Sequence, residues 1–170
     1  MKPFLAILLV SLGFYPNTIK IKEDPITICS DEYEGMTRYE REIRETLKEE
    51  NIDPYIIELL VAQSKHESGN YRNSLTPYNN VFARHYSKRD TFAISAGAPG
   101  EGHTKFAKYP SVRSATQSQL WYFRSRNYSF NWKSTYQFAL ECKRKGYYEA
   151  PLNLYVSALN KYMPKNLISQ

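Results

Sequence analysis

The sequence predicts a mainly α domain that is interrupted once by a small irregular or β lobe. Apolar residues recur at helical spacing before residue 70 and again after residue 110, whereas residues 70–110 lose this period and collect Asn, Pro, Ser and Gly. With 170 residues, of which 42% are hydrophobic, the chain is long enough for one substantial core and too short for two full-sized domains. We therefore expect one helical body and one loop-rich lobe.

A short apolar segment opens the chain. Lys2 precedes the 11-residue run Phe4–Phe14, which is shorter than the ~20 residues of a membrane-crossing helix but matches the hydrophobic region of a secretory signal. We therefore predict export to the periplasm or cell envelope, with residues 1–16 as a signal peptide. Because no A-x-A cleavage site follows, two alternatives stay open: an uncleaved anchor that touches a membrane through residues 4–14, and contact of this segment with a partner protein.

Composition divides the remainder of the chain. Residues 17–35 mix Pro, Asn, Asp, Glu and Gly without a period and are interpreted as a linker. The predicted domain spans residues 36–163, and residues 164–170 form a tail.

Capping signals mark the starts of two helices before the lobe. Thr37 and Glu40 form a capping-box pair at the head of an amphipathic helix over about residues 37–50. Asp53 and Pro54 supply the N-cap and first position of a second helix, which ends around residues 66–68. Both helices are expected to present one apolar face to the core.

The lobe and the second half follow from weaker signals. Two alternating segments, Val81–Tyr86 and Lys105–Tyr109, are predicted to pair as small strands. After them, Ser111 caps a third helix, residues 134–145 form a fourth, and residues 152–163 form the last.

Charge and aromatic content bound the binding partners. Residues 1–83 carry nine basic and 13 acidic side chains, but residues 84–170 carry 14 basic and four acidic ones, together with many of the 15 tyrosines. A basic, tyrosine-rich surface favours a nucleic acid, an anionic envelope polymer or a lipid head group. Because no basic recognition helix or nucleic-acid motif is present, specific nucleic-acid binding ranks last.

Cysteine and histidine give no sign of a metal site. The two cysteines, Cys29 and Cys142, form no C-x-x-C motif, and His85 and His103 have no partner at ligand spacing. We therefore expect no metal and no cofactor. In an exported chain the two cysteines could form one disulfide; two separate buried thiols are the alternative.

Glu67 is the candidate catalytic acid. It lies at the C-terminal end of a largely apolar helix, directly before the lobe. Packing on one side and the negative end of the helix dipole both raise the pKa of a carboxyl group in that position. A carboxylic acid that stays protonated near neutral pH is what a glycosidase needs to protonate a leaving glycosidic oxygen.

Four short blocks extend from Val61 towards the C-terminus. They read VAQSKHESGNYRNSL, YNNVF, FAKYPSVRSATQS and KRKGYYEAPLNLYVSAL. In this order they resemble the glucosaminidase domain family, glycoside hydrolase family 73, over about residues 37–163. That family consists of bacterial and phage peptidoglycan hydrolases, and the resemblance implies a lysozyme-like fold.

The resemblance also implies site residues. Glu67 takes the position of the family's catalytic acid, and Tyr147 that of its active-site tyrosine. The remaining matches are Ala62, Gln63, Ser68 and Gly69 in the first block, Asn79, Asn80, Val81 and Phe82 in the second, Phe106, Tyr109 and Ser111 in the third, and Gly146 and Pro151 in the fourth. The chain departs from the family pattern at Ala83, where glycine is usual, and at Ala150, where aspartate is usual.

The second carboxylate has two candidates. The family places it in the lobe, where this chain offers Asp90 and Glu101. We favour Glu101, because the glycines around it mark a mobile loop that could close over substrate. Asp90 follows Lys88 and Arg89, so a surface ion pair is the interpretation for it. Glu101 would activate water for an inverting attack; assistance by the substrate's own N-acetyl group is the alternative.

These observations predict a peptidoglycan hydrolase that cleaves a β-1,4 bond, with a β-N-acetylglucosaminyl linkage as the favoured target and peptidoglycan strands as the partner. Predicted substrate-binding residues are Asn80, Phe82, Tyr109 and Trp121, with Tyr78, Tyr86 and Tyr122 as further rings that could stack on sugars. The alternative is a non-catalytic virion or envelope structural protein that keeps the fold and a glycan-binding groove.

Overall fold

The computed structural model describes residues 33–99 and 105–168. These residues form six α-helices and one two-stranded antiparallel sheet, which confirms the prediction of a mainly α domain with a small β lobe. The elements are α1 Arg38–Glu49, α2 Pro54–Glu67, a 3-10 turn Thr76–Tyr78, β1 Ser95–Pro99, β2 Lys105–Lys108, α3 Val112–Ser125, α4 Thr135–Arg144, α5 Leu152–Asn160 and α6 Lys165–Ile168.

Several predictions concern residues outside this range. They are the signal peptide at residues 1–16, the linker up to residue 32, Cys29, and Glu101 in the lobe. Within the described part of the chain, no helix combines the length and the apolar character needed to cross a bilayer.

The predicted caps of the first two helices are confirmed. The Thr37 side chain accepts a hydrogen bond from the Glu40 amide, and the Glu40 carboxylate accepts one from the Thr37 amide. Asp53 caps α2, with Pro54 at its first position. Because a Ser, Thr or Asp cap satisfies backbone donors locally, these helix starts are fixed by a few adjacent residues.

The helices after the lobe also begin where the sequence predicts. Ser111 and Ser134 cap α3 and α4, and Gly146 follows α4 with a φ of 69°, a backbone conformation that favours glycine. The last predicted helix is shorter than expected, since α5 ends at Asn160 rather than near residue 163. The predicted tail contains α6.

The lobe corrects one predicted strand. β2 forms as expected, but its partner is β1 and not Val81–Tyr86, which contributes only an isolated bridge from His85 to Phe106. The small residues of β1 predict a turn by propensity alone. Hydrogen-bonded pairing with β2 overrides that propensity. Gly97 fits this pairing because the strands approach closely there: a β-carbon added to it would lie 3.1 Å from Cβ of Lys108.

The core lies among the helices and under the lobe. α1 packs against α2 and α3, while α5 packs against α2 and α4. The ion pairs Arg44–Glu58 and Lys65–Glu40 join α1 to α2 at the rim of this core. Its largest fully buried apolar side chains are Ile43, Leu47, Leu59, Leu60, Phe82, Tyr109, Leu120, Phe123, Phe138 and Leu159.

Candidate active site

Glu67 is the last residue of α2 and stands where the helical body meets the lobe. The chain then turns through Gly69, Asn70 and Tyr71, which all have φ near 60°. The Ser68 hydroxyl donates to the Ser64 carbonyl and accepts a hydrogen bond from the Tyr71 amide at 2.9 Å. These bonds hold a left-handed turn that is costly for a tyrosine, so the direction of the chain immediately after Glu67 is firmly set.

A cavity of about 660 Å³ opens in front of Glu67. Its walls come from the end of α2, from residues 82–87 and Phe106 of the lobe, from the end of α3 and the residue after it, and from residues 146–148. Its lining residues are Glu67, Phe82, Ala83, Arg84, His85, Tyr86, Ser87, Phe106, Tyr122, Arg126, Gly146, Tyr147 and Tyr148. The predicted residues Glu67, Phe82 and Tyr147 therefore share one cavity.

The Glu67 carboxyl group sits in a poorly solvated position. Burial raises its pKa from 4.5 to about 7, and the hydrogen bond from the Tyr155 hydroxyl, at 3.2 Å, lowers it only in part. Because burial penalises the charged form, a large fraction of Glu67 is protonated at neutral pH. This is the protonation state that a general acid requires.

A chain of polar side chains lies behind Glu67. The Gln63 amide donates to the Tyr155 hydroxyl at 3.2 Å, and the Gln119 amide donates to Gln63 Oε1 at 3.1 Å and to the Tyr147 hydroxyl at 3.2 Å. Gln63, Gln119 and Tyr155 are buried. The network thus connects the predicted acid to the predicted tyrosine through three residues of the body.

Both tyrosines of this network remain neutral. Burial, together with the nearby Glu67 carboxyl, holds the pKa of Tyr147 and of Tyr155 well above the ordinary value of 10. Each phenol is therefore available as a hydrogen-bond donor, and neither is a phenolate nucleophile near neutral pH.

Sequence reasoning missed Gln119 and Tyr155. Gln63 appeared among the residues of the first block without a role. One signal was available in the sequence: Gln63 and Gln119 each lie on an apolar helix face. Because a buried amide needs a polar partner, two such glutamines could have been predicted to bind each other, as they do. Tyr155 lies in the predicted last helix, residues 152–163, where no role was assigned to it.

Asn80 lies outside the cavity, which corrects its prediction as a substrate-binding residue. It is fully buried, and its amide group donates to the carbonyls of Arg84 and Ala107 at 2.9 and 3.0 Å. The side-chain oxygen Oδ1 of Asn80 accepts a hydrogen bond from the backbone amide of Arg84 at 2.8 Å. Asn80 therefore fixes the backbone of Arg84, which does line the cavity.

Tyr109 and Asp90 form a buried cluster, which corrects two further predictions. Tyr109 is 1% exposed and does not line the cavity. Asp90 is buried and forms no ion pair with any residue that the structure describes; it accepts hydrogen bonds from the hydroxyls of Tyr109 and Ser118 at 2.9 and 2.6 Å, and from the Phe92 amide at 3.1 Å. The charges of its neighbours in sequence were misleading, because its partners come from more distant segments.

Trp121 and Tyr78 also lie away from the cavity. Trp121 lines a separate 180 Å³ depression beside Phe92 and Arg124, and the Tyr78 ring packs against Gly97 of β1. Tyr86 and Tyr122 do line the cavity, as predicted for sugar-stacking rings.

The two departures from the family pattern have different outcomes. Ala83 has a φ of 49°, the left-handed region that glycine adopts at little cost. Ala83 therefore adopts, with strain, a backbone conformation that favours glycine, and it does so in the cavity wall. Ala150 is exposed, and its carbonyl accepts a hydrogen bond from the Lys143 ammonium at 2.9 Å.

Among the described lining residues, Glu67 is the only one with a carboxylate. Asp90 is committed to its buried cluster, and Glu101 lies outside the described residues. The same part of the chain contains no group of three His, Cys, Asp or Glu side chains that could hold a metal ion. Cys142 is a free cysteine with a buried thiol, as in the alternative of two separate thiols, and Cys29 lies outside the described residues.

Comparison with known proteins shows the fold alone. No protein-family model and no curated protein matches the chain. A solved structure of a type VI secretion system effector-immunity complex from Pseudomonas protegens contains a similar chain, with a TM-score of 0.58 and 18% sequence identity. The match covers 78% of this chain and 89% of that one, so the two share a fold over most of their lengths.

Proposed function

We propose that the chain is a peptidoglycan hydrolase that cleaves a β-1,4 glycosidic bond, as a distant member of the glucosaminidase domain family with a lysozyme-like body. One observation carries this proposal: a glutamate with a pKa of about 7 stands at the wall of a 660 Å³ cavity, at the position that the family resemblance assigns to the acid. The cavity volume lies within the range of about 300–1,000 Å³ that is usual for sites of small-molecule ligands.

In the proposed reaction, the Glu67 carboxyl group donates its proton to the glycosidic oxygen as the bond to the anomeric carbon breaks. The leaving sugar departs as a neutral alcohol, and Glu67 becomes a carboxylate. The Tyr155 hydroxyl, 3.2 Å from Oε1, stabilises that carboxylate through a charge-assisted hydrogen bond.

The cation that develops at the anomeric carbon needs a nucleophile on the opposite face. We propose that Tyr147, held by Gln119, orients the substrate's N-acetyl group or stabilises the developing charge. Water that gives a proton to Glu101 attacks the anomeric carbon directly; alternatively the N-acetyl oxygen attacks first, and water then opens the resulting oxazoline, which restores the N-acetyl group. A β-N-acetylglucosaminyl bond is the favoured target because of the family resemblance.

The test measures release of reducing sugars from purified sacculi. Wild-type protein should release them, and Glu67→Gln should abolish release while keeping the wild-type circular dichroism spectrum. Glu49→Gln is the matched control, because Glu49 is also the last residue of a helix but is exposed on α1. Full activity of Glu67→Gln would refute the assignment of the acid.

The same assay distinguishes a hydrolase from the alternative, a non-catalytic structural protein. A structural protein with a glycan-binding groove would bind sacculi without releasing reducing ends, and its binding would not depend on the proton of Glu67. The strained Ala83 in the cavity wall is the observation that favours this alternative.

The fold neighbour suggests a partner and a location. Its structure is that of an effector-immunity complex, so we propose that this chain also binds a protein partner, and that the partner covers the cavity. We further propose that the chain acts on the cell envelope after export. Co-purification of a stable complex that loses hydrolase activity would support this partner. Undiminished activity in the complex would contradict it.

A further inference from the structure

Two arginines line the same cavity as the predicted acid and have no part in the reaction described so far. Arg84 and Arg126 both line the 660 Å³ cavity. The central carbon of the Arg84 guanidinium lies 3.7 Å from the centre of the Tyr122 ring, and that of Arg126 lies 4.7 Å from the same ring. Two positively charged side chains therefore contact the same ring, that of Tyr122, at the cavity wall.

Within residues 33–99 and 105–168, neither guanidinium forms an ion pair with a carboxylate. Other arginines of the domain do so, for example Arg44 with Glu58 and Arg124 with Glu50. Arg84 Nε is buried and has no hydrogen-bond partner in the same residues. Arg41 and Arg44 share this feature, so the indication of a ligand comes from the two guanidiniums that line the cavity without a described carboxylate partner.

Each guanidinium lies over the Tyr122 ring. A guanidinium presents parallel N–H donors, a geometry that matches the two oxygens of a carboxylate. Arg84 is also fixed at its backbone, where three hydrogen bonds connect its amide and carbonyl groups to Asn80 and Ala107. A fixed, stacked guanidinium loses little conformational entropy when it binds an anion.

We propose that Arg84 and Arg126 form a subsite for a carboxylate carried by the muramyl residues of the glycan, adjacent to the sugar whose bond is broken. This inference rests on the proposed function. A muramyl residue can carry the carboxylate in two ways: on its stem peptide, or on its own lactyl group where the peptide has been removed. A chitin strand carries neither, so the subsite selects cell-wall glycan over chitin.

The experiment measures binding of soluble glycan fragments to the full chain in a Glu67→Gln background, so that the fragments stay intact. Two matched pairs are titrated by calorimetry. The first pair is peptide-bearing fragments with free carboxylates and the same fragments with their carboxylates converted to amides. The second pair is peptide-free fragments with free lactyl carboxylates and their amidated counterparts.

We expect free carboxylates to bind about tenfold more tightly than amides in at least one pair, the effect of about one charge-assisted interaction. The pair that shows the difference identifies the source of the carboxylate. Arg84→Gln and Arg126→Gln should each reduce this ratio towards one, while Arg84→Lys, which keeps the charge but loses the fork, should retain part of it. The ratio should also fall as salt is added.

Arg124→Gln is the matched control, because Arg124 lies on α3 and outside the cavity, and it should keep the parental ratio. A ratio compares two ligands on one variant, so partial unfolding cancels from it. A parental ratio of one in both pairs, a ratio that survives both arginine substitutions, or no binding of any fragment would overturn the subsite. If wild-type protein meanwhile hydrolyses sacculi, only the subsite fails; if it does not, the proposed function fails.

Discussion

Glu67 and Asp90 are both carboxyl groups inside the domain, but they differ in donors and in access. Asp90 is 3% exposed and accepts three hydrogen bonds, from Tyr109, Ser118 and the Phe92 amide. Among the described residues, Glu67 accepts one from a side chain, that of Tyr155, and faces a cavity. The comparison teaches that hydrogen-bond partners and access to the cavity, more than burial, distinguish the two groups: Asp90 is bound to buried hydroxyls, whereas Glu67 can reach a ligand.

The largest expected effect is on turnover. Glu67→Gln should lower kcat/KM on soluble peptidoglycan by about 10²- to 10⁴-fold, the usual contribution of a general acid. Asp90→Asn should stay within about threefold of wild type at a temperature where both are folded, because Asp90 does not reach the cavity. Equal losses of kcat/KM in both variants would contradict the assignment of Glu67, rather than Asp90, as the proton donor.

The second effect is on stability and concerns Asp90. Asp90→Ala should lower the free energy of unfolding by about 3 kcal/mol, since it leaves the buried hydroxyls of Tyr109 and Ser118 without their acceptor. Urea denaturation at pH 7 measures this. Glu49→Ala, at a surface ion pair that solvent screens, should change the free energy of unfolding far less than Asp90→Ala does. A loss as small for Asp90→Ala would show that its hydrogen bonds contribute little.

The third effect is pH-dependent and concerns Glu67. Because its folded pKa is raised from 4.5 to about 7, the protonated group's contribution to stability is complete below pH 4.5 and is lost as the pH rises through 7. Glu67→Gln keeps a neutral side chain at every pH. It should therefore match wild type at pH 4.5 and exceed it by about 2 kcal/mol at pH 8, somewhat less than the full displacement implies because solvent enters the cavity. Thermal unfolding at both pH values tests this; parallel pH curves would contradict it.

The smallest effect concerns the one side-chain donor to Glu67. The Tyr155 hydroxyl lowers the pKa of Glu67, so Tyr155→Phe should raise that pKa further. The alkaline limb of the kcat/KM profile should move up by about half to one pH unit, the effect of about one hydrogen bond. Tyr136→Phe, at an exposed ring on α4, is the control and should leave the profile in place. A shift to lower pH would mean that Tyr155 acts in another way.

The sequence predicted what is decided locally. The caps at Thr37, Asp53, Ser111 and Ser134 depend on side chains within three residues of the helix start, so the helix starts were correct. The strand β1 was missed, because pairing with β2, and not its own composition, stabilises it.

The site shows the same division. Glu67 could be predicted from its place at a helix end and from the family resemblance. Its donor could not, because Tyr155 is 88 residues away in the chain. Asp90 was misassigned for a related reason: its charged neighbours suggested a surface, while its partners Tyr109 and Ser118 lie 19 and 28 residues further on.

The 88 residues that separate Glu67 from Tyr155 also order events during synthesis. Helix α2 leaves the ribosome first, and α5, which packs against it and supplies the Tyr155 hydroxyl, follows after roughly ten seconds at ordinary translation rates. Until then Glu67 lacks both its donor and the burial that raises its pKa, and it remains an ordinary ionised surface carboxylate. A nascent or prematurely ended chain therefore lacks the protonated Glu67 on which the proposed hydrolysis depends.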